Sequence, residues 1–482
     1  MNLKQQLDYL FNPRSVAVIG ASNNLAKWGF HILSLLQSKG GREIYAINRN
    51  EAEVNGLKAY QSVSQVPGVV DFAVIILPYK DVPAAMRDCV QKRVKAAVII
   101  SGGLAETGAE GARIQREVVE IARAGGIRFV GPNCMGHFDT CADFFTVPYL
   151  PPVRKGPLAL IAQSGNTSQS IVYLASEIGL GFSKYVSSGN EADLHFEDYL
   201  EYLAQDDETK VILGYVEGLR EGRRFFELAR EITRKKPIVI MKAGCTEAGA
   251  RAAMSHTAAL AGSDVVCDAA FKQAGVIRVE DVSDLIDVAV ALLGQPLPQG
   301  RKVGVLSAGG GAAVIAADAL MRQHLVLPQL TPITIEKLNS LLPDRWSHCN
   351  PVETGGDPFS YPCLWALMED ENIDAACIIG GGGVTASYAK WVSLPASVSG
   401  YVDQYLKEAE VNELKDMDKS IELMNRYHKP MVVANMHVPT LKKGEVYKKM
   451  ERSYLVPYST PERAAKALAH LVDYSEYLGI AE

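Results

Sequence analysis

The chain has 482 residues and a net charge of −6, and 48% of its residues are hydrophobic while 22% are charged. This composition is typical of a globular protein of three to four domains with large buried cores, and the negative charge does not favour nucleic-acid binding. No stretch approaches the roughly 18 apolar residues of a membrane span, and the first residues lack the apolar core of a secretion signal.

The first part of the chain alternates short apolar runs with helical segments. These runs are apolar throughout, which is typical of parallel strands covered on both faces. They lie at residues 15–20, 43–48, 72–78, 96–102 and 127–132. Residues 1–147 are therefore predicted to form one doubly wound α/β domain.

Proline-rich segments at 148–157 and 295–298 are predicted linkers that divide the rest of the chain. Residues 153–297 repeat the strand–helix pattern, and so do residues 300–482. The strand candidates are 158–162, 184–187, 211–216, 237–241, 302–307, 375–380 and 430–434. Residues 400–427 are predicted to be a solvated helical insertion, and the last helix is expected near 464–477.

Small or polar residues follow the strands of the first domain, where ligands of open α/β sheets bind. Two interpretations stay open for each. The run after the first strand suits a phosphate at a helix start but lacks the G-x-G-x-x-G pattern of NAD sites, and it could be only a tight turn. Arg49 suits the extra phosphate of NADP or coenzyme A, or is a surface arginine. Cys134 is a candidate beside a thiol cofactor, or a buried structural cysteine. The candidates in and around these loops are Gly20, Ala21, Ser22, Asn23, Arg49, Asn133 and Cys134.

The second and third domains carry further candidate anion sites. Ser164, Gly165, Asn166 and Thr167 offer hydroxyls and helix-start N–H groups, although Asn166 or Thr167 could serve only as a helix cap. A second glycine loop opens a helix in the third domain, or is only a flexible turn. It comprises Gly309, Gly310 and Gly311.

His256 is the most informative single residue. It lies in a segment of small residues flanked by Gly249 and Gly262 that is too poor in large side chains for a packed core helix. Histidine acts as acid, base, ligand or nucleophile near neutral pH, and no metal-ligand spacing accompanies this one. Glu217 ends a predicted strand, where a carboxylate can accept the N–H of a histidine and fix its tautomer. The alternative for Glu217 is an ordinary surface or helix-start glutamate.

Six motifs, taken together and in order, resemble the NDP-forming acyl-CoA synthetases. Within this family the likeness is to the alpha-type subunit of ADP-forming acetyl-CoA synthetases, which are relatives of succinyl-CoA synthetase. The resemblance covers nearly the whole chain. The motifs begin at Gly20, Ser101, Gly131, Gln163, Tyr215 and Ser255.

The resemblance implies an α/β fold of three consecutive doubly wound domains. A Rossmann-like CoA-binding domain would be followed by two flavodoxin-like domains, the first carrying a phosphohistidine. It implies that carboxylic acid, CoA and ATP interconvert with acyl-CoA, ADP and phosphate through an acyl phosphate. His256 would carry the phosphoryl group and Glu217 would bind the second ring nitrogen. The loop 20–24 would hold CoA together with Pro78, Ser101 and Gly102.

The sequence departs from the family at four positions, where the family usually has glycine, asparagine, proline and aspartate; these are Ala258, Ser307, Gly311 and Glu353. These departures leave the histidine–glutamate pair intact and leave the acid undetermined.

The sequence contains no Walker glycine–lysine loop, and no ATP-grasp domain is recognised in it. ATP or ADP with Mg²⁺ is therefore expected on a separate beta-type ATP-grasp subunit of a hetero-oligomer, with no metal ligands on this chain. The eight cysteines lack any C-x-x-C pair, which predicts reduced thiols and a cytoplasmic protein without a zinc site. Neither nucleic acid nor membrane is an expected partner. Two other functions stay open: a non-catalytic CoA-binding or regulatory protein, and an NADP-dependent oxidoreductase that uses the first domain.

Overall fold

The computed structural model describes residues 3–249, 251, 263–355, 360–380, 396–438 and 444–481. The side chains of residues 396–401 are outside this description. The chain forms two compact units, Met1–Glu280 and Asp281–Glu482. Strands and helices alternate in both units, and the sheets are dominated by parallel pairs, so the predicted α/β fold class is confirmed. None of the helices described is both long and apolar enough to cross a membrane.

Every predicted strand is present, within a few residues of its expected bounds. In chain order the strands are β1 Ser15–Ile19, β2 Glu43–Ile47, β3 Glu53–Val54, β4 Leu57–Tyr60, β5 Phe72–Ile75, β6 Ala96–Ile99, β7 Arg128–Val130, β8 Gly136–Asp139, β9 Phe144–Phe145, β10 Lys155–Ala162, β11 Phe182–Ser187, β12 Val211–Val216, β13 Ile238–Lys242, β14 Ile277–Val279, β15 Val303–Ser307, β16 Val352–Glu353, β17 Ala375–Ile379 and β18 Met431–Ala434. The β10 strand begins at Lys155, so the end of the predicted 148–157 linker is already strand.

The helices fill the intervals between strands. In chain order they are α1 Leu3–Phe11, α2 Trp28–Lys39, α3 Val82–Lys92, α4 Ala109–Gly125, α5 Gly165–Glu177, α6 Phe196–Ala204, α7 Gly222–Ile232, α8 Asp264–Gln273, α9 Val282–Gly294, α10 Gly310–Arg322, α11 Pro332–Leu341, α12 Tyr361–Glu369, α13 Ala396–Tyr427, α14 Glu445–Arg452 and α15 Pro461–Leu478. Side-chain oxygens cap the starts of several of them, as the capping preferences of Ser, Asp and Thr predict. The capping residues are Ser164, Asp281, Thr331 and Thr460.

The first sheet has the strand order β3-β4-β2-β1-β5-β6-β7. Without β3, the parallel strands follow the order 3-2-1-4-5-6 of a Rossmann fold. All residues of β1, β5 and β6 are buried, which explains their continuous apolar sequences. The strand order reverses between β1 and β5, so this crevice is where a ligand of the sheet is expected to bind.

The second sheet has the order β14-β13-β12-β10-β11-β8-β9. Its five parallel strands follow the order 2-1-3-4-5 of a flavodoxin-like fold, with the reversal between β10 and β12. The short strands β8 and β9 extend this sheet beyond β11, although they come directly after the last strand of the first sheet. β8 pairs antiparallel with β11, and β9 pairs antiparallel with β8. The chain therefore passes from one sheet to the other at residues 131–135.

The second unit contains a four-stranded parallel sheet of order β16-β15-β17-β18, also a flavodoxin-like order. Its core is formed by apolar residues of the strands and of α15, which packs against α9 and α10. The helix predicted at 400–427 is present as the longer α13, but the prediction that it is solvated is wrong in part, because Met417, Leu423 and Met424 are buried in the core of this unit. The predicted domain limits of 1–147, 153–297 and 300–482 stay a prediction.

Candidate functional site

A cavity of about 990 Å³ opens at the strand-order reversal of the first sheet. This volume lies at the upper end of the range typical of ligand pockets, roughly 300–1,000 Å³. The loops after β1, β2, β5 and β6 contribute to its lining. Of the residues predicted to bind a cofactor, those that line it are Gly20, Ala21, Ser22, Arg49, Pro78, Ser101, Asn133 and Cys134.

Gly20 brings the backbone of two strands together at the base of this cavity. Its φ is +95°, and a Cβ placed on it would lie 2.1 Å from the carbonyl oxygen of Ile76. A side chain at this position is excluded by both conformation and space. The loop after β1 can therefore approach β5 closely. The Gly20 N–H donates to the Ile47 carbonyl and the Asn24 N–H to Ser22 Oγ, both at 3.1 Å, so the N–H groups between them are the candidates to meet an anion ahead of α2.

The opposite wall is held by hydrogen bonds between loops. The Ser101 hydroxyl accepts the N–H of Leu77 at 3.0 Å, and the N–H of Asn133 donates to the Ser101 carbonyl at 3.0 Å. The Asn133 amide donates to Asn190 Oδ1 at 3.3 Å. Residues of the first sheet are thereby fixed to the loop after β11 of the second sheet, which lines the same cavity.

Cys134 lies at the cavity but is buried. Its thiol donates to the Ile99 carbonyl at 3.4 Å, and burial raises its pKa to about 12. This thiol is a poor nucleophile at neutral pH because the reactive form is the thiolate.

Three predicted cofactor residues lie at the margin. The side chain of Arg49 is 66% exposed, so its charge is solvated, and its Nη1 lies 3.9 Å from Asp81 Oδ1. The Asn23 side chain bonds the backbone of Glu53 and Asn55 at 3.0 Å each, so it ties loops together outside the lining. Gly102 is also outside the lining. A Cβ there would lie 3.1 Å from Asn133 Oδ1, and the glycine thus leaves room for the asparagine.

The far end of the cavity is the start of α5. Gln163, Ser164, Gly165 and Asn166 line it, and Thr167 follows in the first turn of the helix. The Ser164 hydroxyl accepts the Thr167 N–H at 3.4 Å and the Thr167 hydroxyl at 3.0 Å. The N–H groups of Gly165 and Asn166 have no acceptor in the helix, as at any helix start, and they favour an anion here.

Glu217 follows β12 on the other side of the reversal in the second sheet, next to the loop that follows β10. Glu217 is buried, with 7% of its surface exposed. The N–H of Glu217 donates to Gln163 Oε1 at 2.6 Å, and Lys242 Nζ donates to the Glu217 carbonyl at 2.9 Å. The predicted phosphate loop and the predicted catalytic glutamate are therefore neighbours at one sheet edge.

Glu191 is a buried acid beside the same edge. Burial raises its pKa to about 8, while hydrogen bonds from Ser188 and Gln163 and the charge of Arg220 work in the opposite direction. Ser188 Oγ donates to Glu191 Oε1 at 2.7 Å, and Gln163 Nε2 donates to Glu191 Oε2 at 3.0 Å. Burial thus favours the protonated form of Glu191, against the two hydrogen bonds that its carboxylate oxygens accept.

His256, the predicted phosphate carrier, lies outside the described residues, whereas both flanks of its segment are described. Arg278 donates to Asp264 Oδ1 at 2.7 Å and to Cys245 Sγ at 3.1 Å. These two bonds join the residues on both sides of positions 252–262.

The glycine loop of the second unit also opens a helix. Gly309 precedes α10, and its N–H donates to Ser307 Oγ at 3.4 Å, whereas Gly310 and Gly311 form the first turn. A Cβ at Gly310 would lie 3.1 Å from Glu353 Oε2, so a carboxylate lies close to this loop. That neighbour weakens the loop as an anion site.

Sequence reasoning did not assign a role to Gln163, Glu191 or Lys242. Gln163 stood directly before the phosphate loop, and Lys242 ends an apolar strand, where a charged residue is a signal of a sheet-edge function. Glu191 carried no signal, because its burial follows from packing between elements far apart in sequence. Among the described residues, no group of three or more His, Cys, Asp or Glu side chains is placed to hold a metal ion.

Two family profiles match within the first 292 residues of the chain. Residues 14–138 match a family described as a CoA binding domain, and residues 155–292 match a succinyl-CoA ligase like flavodoxin domain.

Named proteins are similar over most of the chain. One relative is the acetate–CoA ligase [ADP-forming] II subunit alpha of Pyrococcus furiosus. It is 43% identical over 380 residues, which are 77% of this chain and 82% of the relative. The acetate–CoA ligase [ADP-forming] I subunit alpha of the same organism is 38% identical over 98% of both chains.

A solved structure is similar as well. It is the dinucleotide forming acetyl-coenzyme A synthetase 1 of Ca. Korarchaeum cryptofilum, determined in complex with phosphate and ADP. Its TM-score is 0.84, its sequence identity is 32%, and 98% of each chain is covered.

Proposed function

Because this chain belongs to the family of ADP-forming acid–CoA ligases, we propose that it forms the acyl- and phosphoryl-transferring part of such an enzyme. The observation that carries the proposal is the single cavity of about 990 Å³, which extends from the Gly20 loop to the start of α5. A thiol cofactor held at one end can thus present its acyl group near an anion site at the other end.

The cavity suits coenzyme A. The Gly20 loop offers N–H groups to phosphates, Arg49 offers a solvated positive charge, and Pro78, Ser101 and Asn133 shape the wall. When bound, coenzyme A supplies the thiol that forms and releases the thioester. Cys134 keeps its proton at neutral pH, so this chain's own thiol does not compete as a nucleophile.

The second sheet would carry phosphoryl transfer. Phosphate attacks the acyl-CoA carbonyl, so the C–S bond breaks, CoA leaves and an acyl phosphate forms. A neutral His256 nitrogen then attacks the phosphorus, and the carboxylic acid leaves. Ser164, Gly165, Asn166 and Thr167 would bind the phosphoryl oxygens, and Glu217 would accept the N–H of the second ring nitrogen.

The phosphoryl group would then pass from His256 to ADP on a second polypeptide. The relatives from Pyrococcus furiosus are named as alpha subunits, which supports a partner subunit for this chain too. We propose that this partner is a beta-type ATP-grasp subunit with ATP or ADP and Mg²⁺. The Gly309–Gly311 loop, with the Glu353 carboxylate beside it, would be a weaker anion site than the start of α5. All eight cysteines are free thiols, which supports the proposed cytoplasmic location.

The test is phosphohistidine formation on this chain alone. Purified protein is incubated with labelled phosphate and saturating acyl-CoA, drawn from a panel of short-chain, branched and aryl acids. Acid-labile label is expected on wild type and absent from His256→Ala, with Glu217→Gln at least tenfold slower. Label on His256→Ala, or none on wild type with any acyl-CoA, would refute the proposal.

A comparison of ligands separates the remaining alternatives. An acid–CoA ligase is stabilised against heat by CoA, whereas an oxidoreductase of this Rossmann order is stabilised by NADP. A non-catalytic CoA-binding protein would respond to CoA and acquire no label.

A further inference from the structure

The peptide groups of Glu217 are held by side chains from both neighbouring strands. In the second sheet, β12 lies between β13 and β10. Gln163, after β10, accepts the Glu217 N–H at 2.6 Å, while Lys242, at the end of β13, donates to the Glu217 carbonyl at 2.9 Å. The backbone position of this glutamate is therefore set by two side chains in addition to the strand ladder.

Lys242 is a buried cation with carbonyl partners only. It is 6% exposed, and its register partner across the strands is Val216, one residue before Glu217. Its ammonium donates to the carbonyls of Glu217 and Ala243, and its charge is one of the influences that lower the pKa of Asp264. A buried ammonium must be satisfied by hydrogen bonds, and one of the carbonyls that satisfy this one belongs to Glu217.

Both polar atoms of the Gln163 amide are used to hold the segment around Glu217. Its Oε1 accepts the N–H of Glu217 and of Gly218, at 2.6 and 3.1 Å. Its Nε2 donates to the Gly218 carbonyl at 2.7 Å and to Glu191 at 3.0 Å. The same residue is followed by Ser164 and Gly165, so any movement of Glu217 is coupled to the phosphate loop.

We propose that Lys242 is a positioning residue, which fixes the peptide of Glu217 from the β13 side while Gln163 fixes it from the β10 side. The proposal rests on the proposed function, in which Glu217 orients His256. The ammonium also places a positive charge at the sheet edge where a phosphoryl group would be carried, and on the strand that leads toward the His256 segment.

The chain offers a matched control at the opposite end of β13. Lys236 Nζ also donates to two backbone carbonyls, those of Leu203 at 3.0 Å and Asp206 at 2.5 Å. It lies just before β13, away from Glu217. Lys242→Met and Lys236→Met remove the same kind of lysine–carbonyl interaction at opposite ends of β13, from a buried and a half-buried lysine respectively.

The experiment measures the single-turnover rate of phosphohistidine formation and the KM for acyl-CoA in both variants. For Lys242→Met the rate is expected to fall at least tenfold while KM stays within twofold, because cofactor contacts are untouched. Lys236→Met should keep both values within twofold of wild type. Lys242→Arg should recover part of the rate, since its guanidinium still donates to carbonyls.

Hydrogen exchange of the peptide covering residues 211–220 gives a readout that needs no activity. Lys242→Met is expected to speed exchange at Glu217 and Gly218, and Lys236→Met is not. Three results would overturn the positioning role. They are a wild-type rate of phosphohistidine formation in Lys242→Met, an equal loss of that rate in Lys236→Met, and unchanged hydrogen exchange at Glu217 and Gly218 in Lys242→Met. If wild type itself acquires no label, the proposed function fails, and the exchange measurement still decides whether Lys242 holds Glu217.

Discussion

Replacement of Gly20 by alanine should disable the cofactor cavity. The added Cβ would lie 2.1 Å from the Ile76 carbonyl oxygen and 3.3 Å from the Leu77 side chain. The obstacle is backbone at the edge of β5, which cannot rotate away as a side chain can. Since Ile76 donates its own N–H to Ile19, relief requires β1 and β5 to separate at the base of the cavity.

The magnitude has two parts. A non-glycine residue in the left-handed region costs about 1–2 kcal/mol, and overpacking of a tight contact costs about 1–3 kcal/mol. We expect Gly20→Ala to lose about 2–5 kcal/mol of unfolding free energy of the first unit. Because the loop N–H groups would shift with β1, CoA should bind at least tenfold more weakly, a change of about 1.4 kcal/mol.

Gly40→Ala is the matched control. Gly40 has a φ of +66° and no atom within 4 Å of its ideal Cβ, so alanine there has the conformational cost without the clash. Urea unfolding and calorimetric titration with CoA measure both effects. Equal stability losses in the two variants, or wild-type CoA affinity in Gly20→Ala, would contradict the clash and the assignment of the loop.

Two further predictions concern buried acids. Burial raises the pKa of Glu191 to about 8, so wild-type stability should fall as pH rises from about 4.5 to about 8. The side chain introduced by Glu191→Gln stays neutral, so this variant should lose less stability than wild type over that pH window. Urea unfolding midpoints at pH 5, 7 and 9 measure the difference, and parallel pH profiles of the two proteins would refute the shifted pKa. In the second unit, Arg463 holds Asp287 through bonds of 2.6 and 2.7 Å, while burial raises the pKa of Asp287 to about 6. Arg463→Met should lower the free energy of unfolding by about 2–4 kcal/mol at pH 8 and by less at pH 4.5, where Asp287 is neutral. Urea unfolding at the two pH values measures this, and an equal loss at both would contradict the prediction.

The main strands could be predicted from the sequence because they are buried on both faces. Runs such as those of β1 and β5 are apolar throughout and end in glycine or proline. Strands β8 and β9 were not foreseen. They contain His137 and three phenylalanines, and the pairing of β8 with β11 joins residues about fifty apart, which no local pattern encodes.

The candidate site was predictable where function acts through the backbone. Small residues after strands, at Gly20 and Gly165, indicate close approach to a ligand, and the structure brings both to one cavity. The side chains that hold Glu217 were not predicted, because Gln163 and Lys242 meet it only once β10, β12 and β13 pair. His256 was assigned from its sequence environment and its family motif, and it stays a prediction.

The passage of the chain from β7 to β8 has a consequence for how such proteins can be divided or recombined. A fragment ending at residue 147 would carry β8 and β9 without β11, the strand on which β8 pairs. Phe138, which stacks on Tyr185 with ring centroids 5.0 Å apart, would then face water together with the unpaired edge of β8. A cut near residue 131 keeps that hairpin with its sheet. Exchange of the cofactor-binding module between relatives is thus expected to succeed only when the junction precedes β8.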